Sequence, residues 1–176
     1  MAGRLFVAGV RLGPDLQRSE DHKDWVMFSE LGKPDVLPIS NYISIEDVQG
    51  GEIVGLEEIV GDMIIFMTNG IFRLDVPKAN PSSWSLIESE KNIGCNAPKS
   101  IVSFEGGVFF TGKDNFYLLN SNFSAVPLTY NIKDIYQKYN NSDTQAIFSP
   151  TKKELYLKLG GKSDALYKLS LSRYPD

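Results

Sequence analysis

The sequence predicts an all-β chain: a β-propeller-like arc of about four antiparallel blades, each with three or four strands. Three observations carry this reading. Segments with one shared layout recur about every 46 residues, turn residues punctuate short apolar runs, and only one stretch has helical spacing. The repeat is visible at separate landmarks. Val54, Val102 and Phe148 are 48 and 46 residues apart, and Ile65, Phe109 and Tyr156 are 44 and 47 apart. Phe72, Tyr117 and Tyr167 follow at 45 and 50.

The first blade is expected at residues 4–45. Its strands are read at 4–9, 25–30 and 41–45, and Phe28 lies 44 residues before Phe72. The connection holding Gly13, Pro14, several charges and His22 reads as a loop. The second blade spans 52–88. Its run MIIFM at 63–67 is apolar on both alternating faces, as in a central strand covered on both sides. Asn69-Gly70 is expected to form the following two-residue turn with both residues at positive φ, and 84–88 to form the outer strand. The third blade spans 100–128, with turns at Gly106-Gly107 and Lys113-Asp114-Asn115 and an outer strand at 123–128.

A short helix at about 132–139 follows, with Asn131 as its expected cap, Asp134 in the first turn and Ile132, Ile135, Tyr136 and Tyr139 at helical spacing. The fourth blade spans 146–171. Leu155, Leu157 and Leu159 alternate there with Tyr156 and Lys158, which marks a half-exposed strand before the turn at Gly160-Gly161-Lys162. The count is three, four, four and three strands. A lone sheet of this size cannot bury both faces, and radial stacking of sheets solves that problem. A sandwich or two-sheet barrel is the nearest alternative, but it explains the spacing less well. The two terminal blades hold six strands where one shared blade would hold four. The chain is therefore expected to be a fragment of a larger propeller, or an arc completed by another chain.

Composition narrows the chemistry. In 176 residues, hydrophobic side chains make up 42% and charged ones 23%, enough apolar material for a real core. A net charge of −4 argues against a protein whose whole surface docks on a phosphate backbone, though not against a local basic patch. A single cysteine, Cys95, excludes an intrachain disulfide framework and a multi-thiolate zinc site. The longest apolar run is far too short to cross a bilayer and no signal-peptide pattern opens the chain, so a soluble protein is expected.

No pattern of residues specifies an activity. The glycines match neither phosphate-loop spacing and suit turns instead. His22, the only histidine, lies among Glu20, Asp21, Lys23 and Asp24 and reads as a solvated loop residue. Cys95 has no histidine nearby in sequence to activate its thiol, so a packing role is expected. Glu52, Glu57, Glu58, Asp62, Asp75, Glu105, Asp114 and Glu154 are the carboxylates a sugar-cleaving propeller could use, yet most of them flank turns. The aromatic side chains fall mainly in strands and suit packing, while Trp25 and Trp84 stay open between core and interface. Asn122 and Asn140 satisfy the glycosylation pattern and read as ordinary turn residues. No catalytic, cofactor-binding or metal-binding residue is assigned, and no cofactor is expected.

The wording of the chain is more specific than its periodicity. The series RLFVAG (4–9), WVMFSELGKPDVLPISNYISI (25–45), GGEIVGLEEIVGDMIIFMTNGIFRL (50–74) and IGCNAPKSIVSFEGGVFFTGKDNFYLL (93–119) resembles tailed-bacteriophage virion proteins with a β-propeller domain. These are proteins of the tail nozzle or head-to-tail stabilisation region. The resemblance covers about residues 4–128, and FSELG, NGIFRL and IGCNAP are its informative parts. It implies a longer parent chain and a structural, non-enzymatic role beside the DNA exit path. Its implied location is the virion tail, assembled in the host cytoplasm. The implied partners are other phage head-tail or tail proteins, in a homo-oligomeric ring near packaged DNA. The alternative is a receptor- or glycan-binding propeller module, and a propeller glycoside hydrolase is a more remote one.

Overall fold

The computed structural model describes residues 3–12, 20–46, 51–76, 80–161 and 165–171. Strands alternate with tight turns almost throughout. They are β1 Phe6–Leu12, β2 Glu20–Phe28, β3 Tyr42–Ser44, β4 Ile53–Ile59, β5 Asp62–Met67, β6 Gly70–Asp75 and β7 Ser85–Lys91. Then come β8 Val102–Phe104, β9 Gly107–Thr111, β10 Phe116–Asn120 and β11 Ala125–Pro127. After the helix α1, Lys133–Tyr139, the chain closes with β12 Gln145–Ser149, β13 Glu154–Lys158 and β14 Tyr167–Ser170. Each strand pairs with its sequence neighbours, giving antiparallel sheets of three, four, four and three strands. The all-β class and the strand count therefore hold.

The chain divides into two compact units, Met1–Glu88 and Ser89–Asp176. In the first, sheet β1–β3 lies face to face with sheet β4–β7. Alternation puts Phe6, Ala8, Val26 and Ile43 on one side of the first sheet, where they meet Met63, Ile65, Met67, Phe72 and Leu74. Every residue from 63 to 67 is buried, as a central strand apolar on both faces requires. In the second unit, Phe109 and Phe116 of the sheet β8–β11 pack with Leu155, Leu157 and Leu159, and Tyr136 of α1 joins them. Phe104 links the two layers, with its ring 4.6 Å from that of Phe109 and 5.6 Å from that of Phe148. Leu155, Leu157 and Leu159 are buried while Lys158 is exposed, so the alternation in the last blade reads as expected.

Four local expectations need correction. First, β2 starts at Glu20, so His22 lies in a strand rather than a loop; Gly13 and Pro14 fall outside the described residues. Second, Asn131 does not cap the helix. A 3-10 turn at Tyr130–Ile132 precedes α1, and Ile132 takes the cap position without a side-chain hydrogen bond. Third, Trp84 ends a 3-10 turn, so the outer strand begins at Ser85; Phe123, at φ +60, likewise sits in the turn before β11.

The fourth correction concerns a turn. Pairing of Phe66 with Ile71 places Thr68 and Asn69 in the β5–β6 loop and draws Gly70 into β6, and neither Asn69 nor Gly70 has positive φ. Sliding the register by one residue would swap the faces of β6 relative to β5 and lose the core pairing of Ile65 with Phe72. Thr68 is also held on its other side, where its N–H donates to Glu52 O and its Oγ1 accepts from Glu52 N.

The turn with two positive φ values lies one hairpin earlier. Ile59 pairs with Asp62, and the two residues between them, Val60 and Gly61, have φ of +53 and +87. That twist suits the flanking strands, but a β-branched side chain tolerates it poorly. Val60 is 78% exposed, so packing does not compensate. Val60→Asn should therefore raise stability by about 1 kcal/mol, because asparagine accepts the left-handed conformation at lower cost. Urea denaturation of the two chains checks this; unchanged or lower stability in the variant would sink it.

Candidate functional site

Among the described residues, no group of three or more His, Cys, Asp or Glu side chains is placed to hold a metal ion. The carboxylates considered from sequence are scattered among separate partners. Lys23 pairs with Glu52, Arg73 Nε lies 2.7 Å from Asp62, and Lys168 Nζ lies 2.9 Å from Glu154. The Tyr117 hydroxyl donates to Asp114 at 2.8 Å, and the Tyr156 hydroxyl donates to Glu154 at 2.5 Å. Glu58 and Glu105 are exposed, while Glu57 and Asp75 are half-buried on β4 and β6. The Tyr156 hydroxyl first, and Lys168 second, hold the Glu154 carboxyl below its ordinary range. A carboxylate so fixed is a poor general acid at neutral pH.

Three features remain where side chains of different strands converge. The first is a ring stack on the β1–β3 sheet. Between the pairs Ala8–Val26 and Val10–His22, β1 has one residue and β2 has three. Gly9 sits at this bulge with φ +62, a conformation glycine takes without strain. In a regular strand His22 and Trp25, three apart, would point to opposite faces. The bulge brings them together. The His22 ring stacks on Trp25 at 3.6 Å, and Tyr42 of β3 stacks on Trp25 at 3.7 Å. Two rings at such distances occupy opposite faces of the indole, which leaves Trp25 without an open face for a sugar ring. Trp84 is half-buried against the edge of the core, packed on Phe6 and Phe28 with the Arg4 guanidinium 5.9 Å from its ring.

The second feature is a shallow hollow of about 340 Å³ lined by Asp21, Lys23, Asp24, Ile45, Glu46, Gly51 and Glu52. Its charge is mostly negative, but Asp24 accepts from the Ser44 hydroxyl at 2.5 Å and Glu52 is paired with Lys23. The third is an apolar cleft of about 190 Å³ between Phe116 and Leu128 on one side and Leu155, Leu157, Tyr167 and Leu169 on the other. It is smaller than the 300–1,000 Å³ of usual ligand pockets.

Beside that cleft the polar groups are structural. The Tyr136 hydroxyl lies 2.8 Å from Gly112 O and 2.9 Å from Asn115 O, so α1 pins the β9–β10 turn. Asn140, at the end of the helix, donates to the same Gly112 carbonyl at 2.9 Å. Burial pushes the Tyr136 hydroxyl well above its ordinary pKa. Cys95 is fully buried, with its thiol directed at Ala97 O and near the Ser100 hydroxyl, which itself lies 2.6 Å from Thr111 Oγ1. Burial pushes its thiol up from 9.0 to about 11. It is a thiol at any physiological pH, not a nucleophilic thiolate. Sequence alone could mark Tyr136 as a helix-face residue, but not its two carbonyl partners; nothing in the sequence announced the bulge that makes the ring stack.

No protein-family model matches the chain, and no match was found among curated proteins.

Two outcomes follow from this geometry. Tyr136→Phe should cost about 1–3 kcal/mol, since it removes the hydroxyl that bridges two turn carbonyls; thermal melts at unchanged secondary structure measure it, and an unaltered midpoint would refute the pinning role. The raised thiol pKa adds stability that is complete below pH 9 and is lost as pH climbs toward 11, because only the unfolded chain then sheds the proton easily. Wild type should lose about 1 kcal/mol more than Cys95→Ala between pH 9 and 10. Parallel urea titrations at the two pH values decide it, and identical losses would place the thiol in contact with water.

Proposed function

We propose that the chain is a structural component of a tailed-bacteriophage virion, helping to form or stabilise the tail nozzle or head-to-tail junction around the DNA exit path. The single observation that carries this reading is the run of four meander sheets, of three, four, four and three strands, repeating along one chain. Such units suit the blades of a propeller, whose sheets cover one another radially. The resemblance of residues 4–128 to phage nozzle and head-to-tail proteins supplies the biological setting. The scattered pairing of the carboxylates and the inert Cys95 thiol fit a scaffold better than a catalyst, and no reaction step is assigned to any residue. A net charge of −4 suits a wall that guides DNA without holding it.

In this setting the chain belongs to the virion tail and is assembled in the host cytoplasm. Its partners are other head-tail or tail proteins, and its blades form part of a larger propeller. Gradient-purified particles of the phage that encodes the chain should contain it at a fixed copy number, alongside the portal and tail proteins. Quantitative mass spectrometry of those particles is the test. Its absence from particles that are otherwise complete would overturn the proposal.

A further inference from the structure

We propose that the apolar cleft of the second unit is a binding site for a small uncharged aromatic molecule, a single ring with one or two substituent atoms. Strand pairing sets its walls. Across β13 and β14, Leu155 pairs with Leu169 and Leu157 with Tyr167, which puts these four side chains on the inner face of their sheet. On the other wall, Leu128 N–H donates to Phe116 O at 2.8 Å, extending the β10–β11 pairing so that the two side chains lie next to each other. Thr129, Asn131 and Ile132, in the link to α1, complete the lining. Phe116, Leu155 and Leu157 are buried, Leu128, Tyr167 and Leu169 are half-buried, and Asn131 and Lys168 are exposed. The space therefore runs from a buried floor to an open mouth.

Size, polarity and charge together select the guest. An apolar cavity of about 150 Å³ takes up benzene. At about 190 Å³ this cleft has room for such a ring and a small substituent, though not for the larger ligands of ordinary pockets. Thr129, the buried polar side chain in the lining, spends its hydroxyl proton on Asn115 Oδ1 at 2.7 Å. Water inside finds few partners and is displaced at little cost. The rings of Phe116 and Tyr167, on facing walls, favour an aromatic guest over an aliphatic one. Lys168, the charged residue of the lining, is already paired with Glu154 at 2.9 Å. Neither an anion nor a cation meets an uncompensated opposite charge there, so an ion would lose its hydration without return.

An aromatic side chain of a partner protein is the rival occupant. Its backbone would have to lie over Asn131 and the Lys168–Glu154 pair, and taking an ion pair out of water is costly. A free molecule leaves both in solvent. The bound ring would touch both sheets and the link to α1, so it would steady the unit and take part in no chemistry. This inference stands apart from the virion role, and either can fail without the other.

Methyl NMR of the full chain, carbon-13 labelled at leucine and titrated with toluene and p-cresol, tests it. Shifts should saturate with dissociation constants of about 0.1–1 mM and be confined to Leu128, Leu155, Leu157 and Leu169. Benzoate, benzylamine and N-acetylphenylalaninamide should bind at least tenfold more weakly. In thermal melts, 5 mM p-cresol should raise the midpoint by about 2–6 °C. Leu128→Trp and Leu169→Phe each fill the cleft and should weaken p-cresol binding at least tenfold, with circular dichroism confirming that the variant is folded. Should both variants unfold, the wild-type titrations decide alone. Absence of saturable shifts up to 5 mM, shifts centred on Leu56 and Leu74 instead, or unweakened binding to a folded, filled cleft would overturn the proposal. Equal affinity for the charged analogues would overturn its charge argument, and tighter binding of N-acetylphenylalaninamide would assign the cleft to a partner's side chain.

Discussion

Everything in this chain depends on one constraint: a sheet of three or four short strands buries one face only if a second sheet lies against it. The energy at stake is large. Fully burying a side chain such as Ile65 or Phe109 contributes about 1.5–3 kcal/mol, and each core is made of several such residues. Neither sheet of the first unit could hold Ile65, Phe72 and Val26 out of water by itself. Pairing of sheets is thus the unit of stability, while pairing of strands only sets which side chains face which way.

That division explains what the sequence reveals. Strand number and order were legible because apolar alternation and turn residues are local signals, written into short windows such as 63–67 and 154–158. The positions of turns were less legible. Asn69-Gly70 carries the composition of a tight turn, yet register with β5 moves the loop back by one residue. Val60-Gly61 adopts the twisted turn although valine is the wrong residue for it, because the strands on either side leave only two residues to reverse direction. Tertiary pairing overrode local preference in both places.

Candidate site residues were legible mainly by elimination. Cys95 could be read as inert, and its burial supplies the reason. His22 reads from sequence as a loop residue and instead lies in β2, because its place depends on a two-residue surplus in β2 that no local pattern signals. The same surplus decides the fate of Trp25: an indole that would otherwise stand open on the sheet is enclosed by an imidazole and a phenol. Likewise, the role of Tyr136 comes from two carbonyls more than twenty residues earlier in the chain, which helical periodicity cannot report.

The simple order of the sheets has a consequence for how the protein is made. Because every strand pairs with its immediate sequence neighbour, each sheet can zip together as it leaves the ribosome, without waiting for distant chain. A sheet alone has nothing to cover its inner face, so the nascent chain carries β1–β3 with that face wet until β4–β7 has emerged. At translation rates of about 5–20 residues per second, roughly two to ten seconds separate the two events. During that interval a neighbouring nascent copy on the same message offers the same apolar face. The timing of synthesis, more than the stability of the finished fold, is then what separates correct pairing within a chain from entanglement between chains.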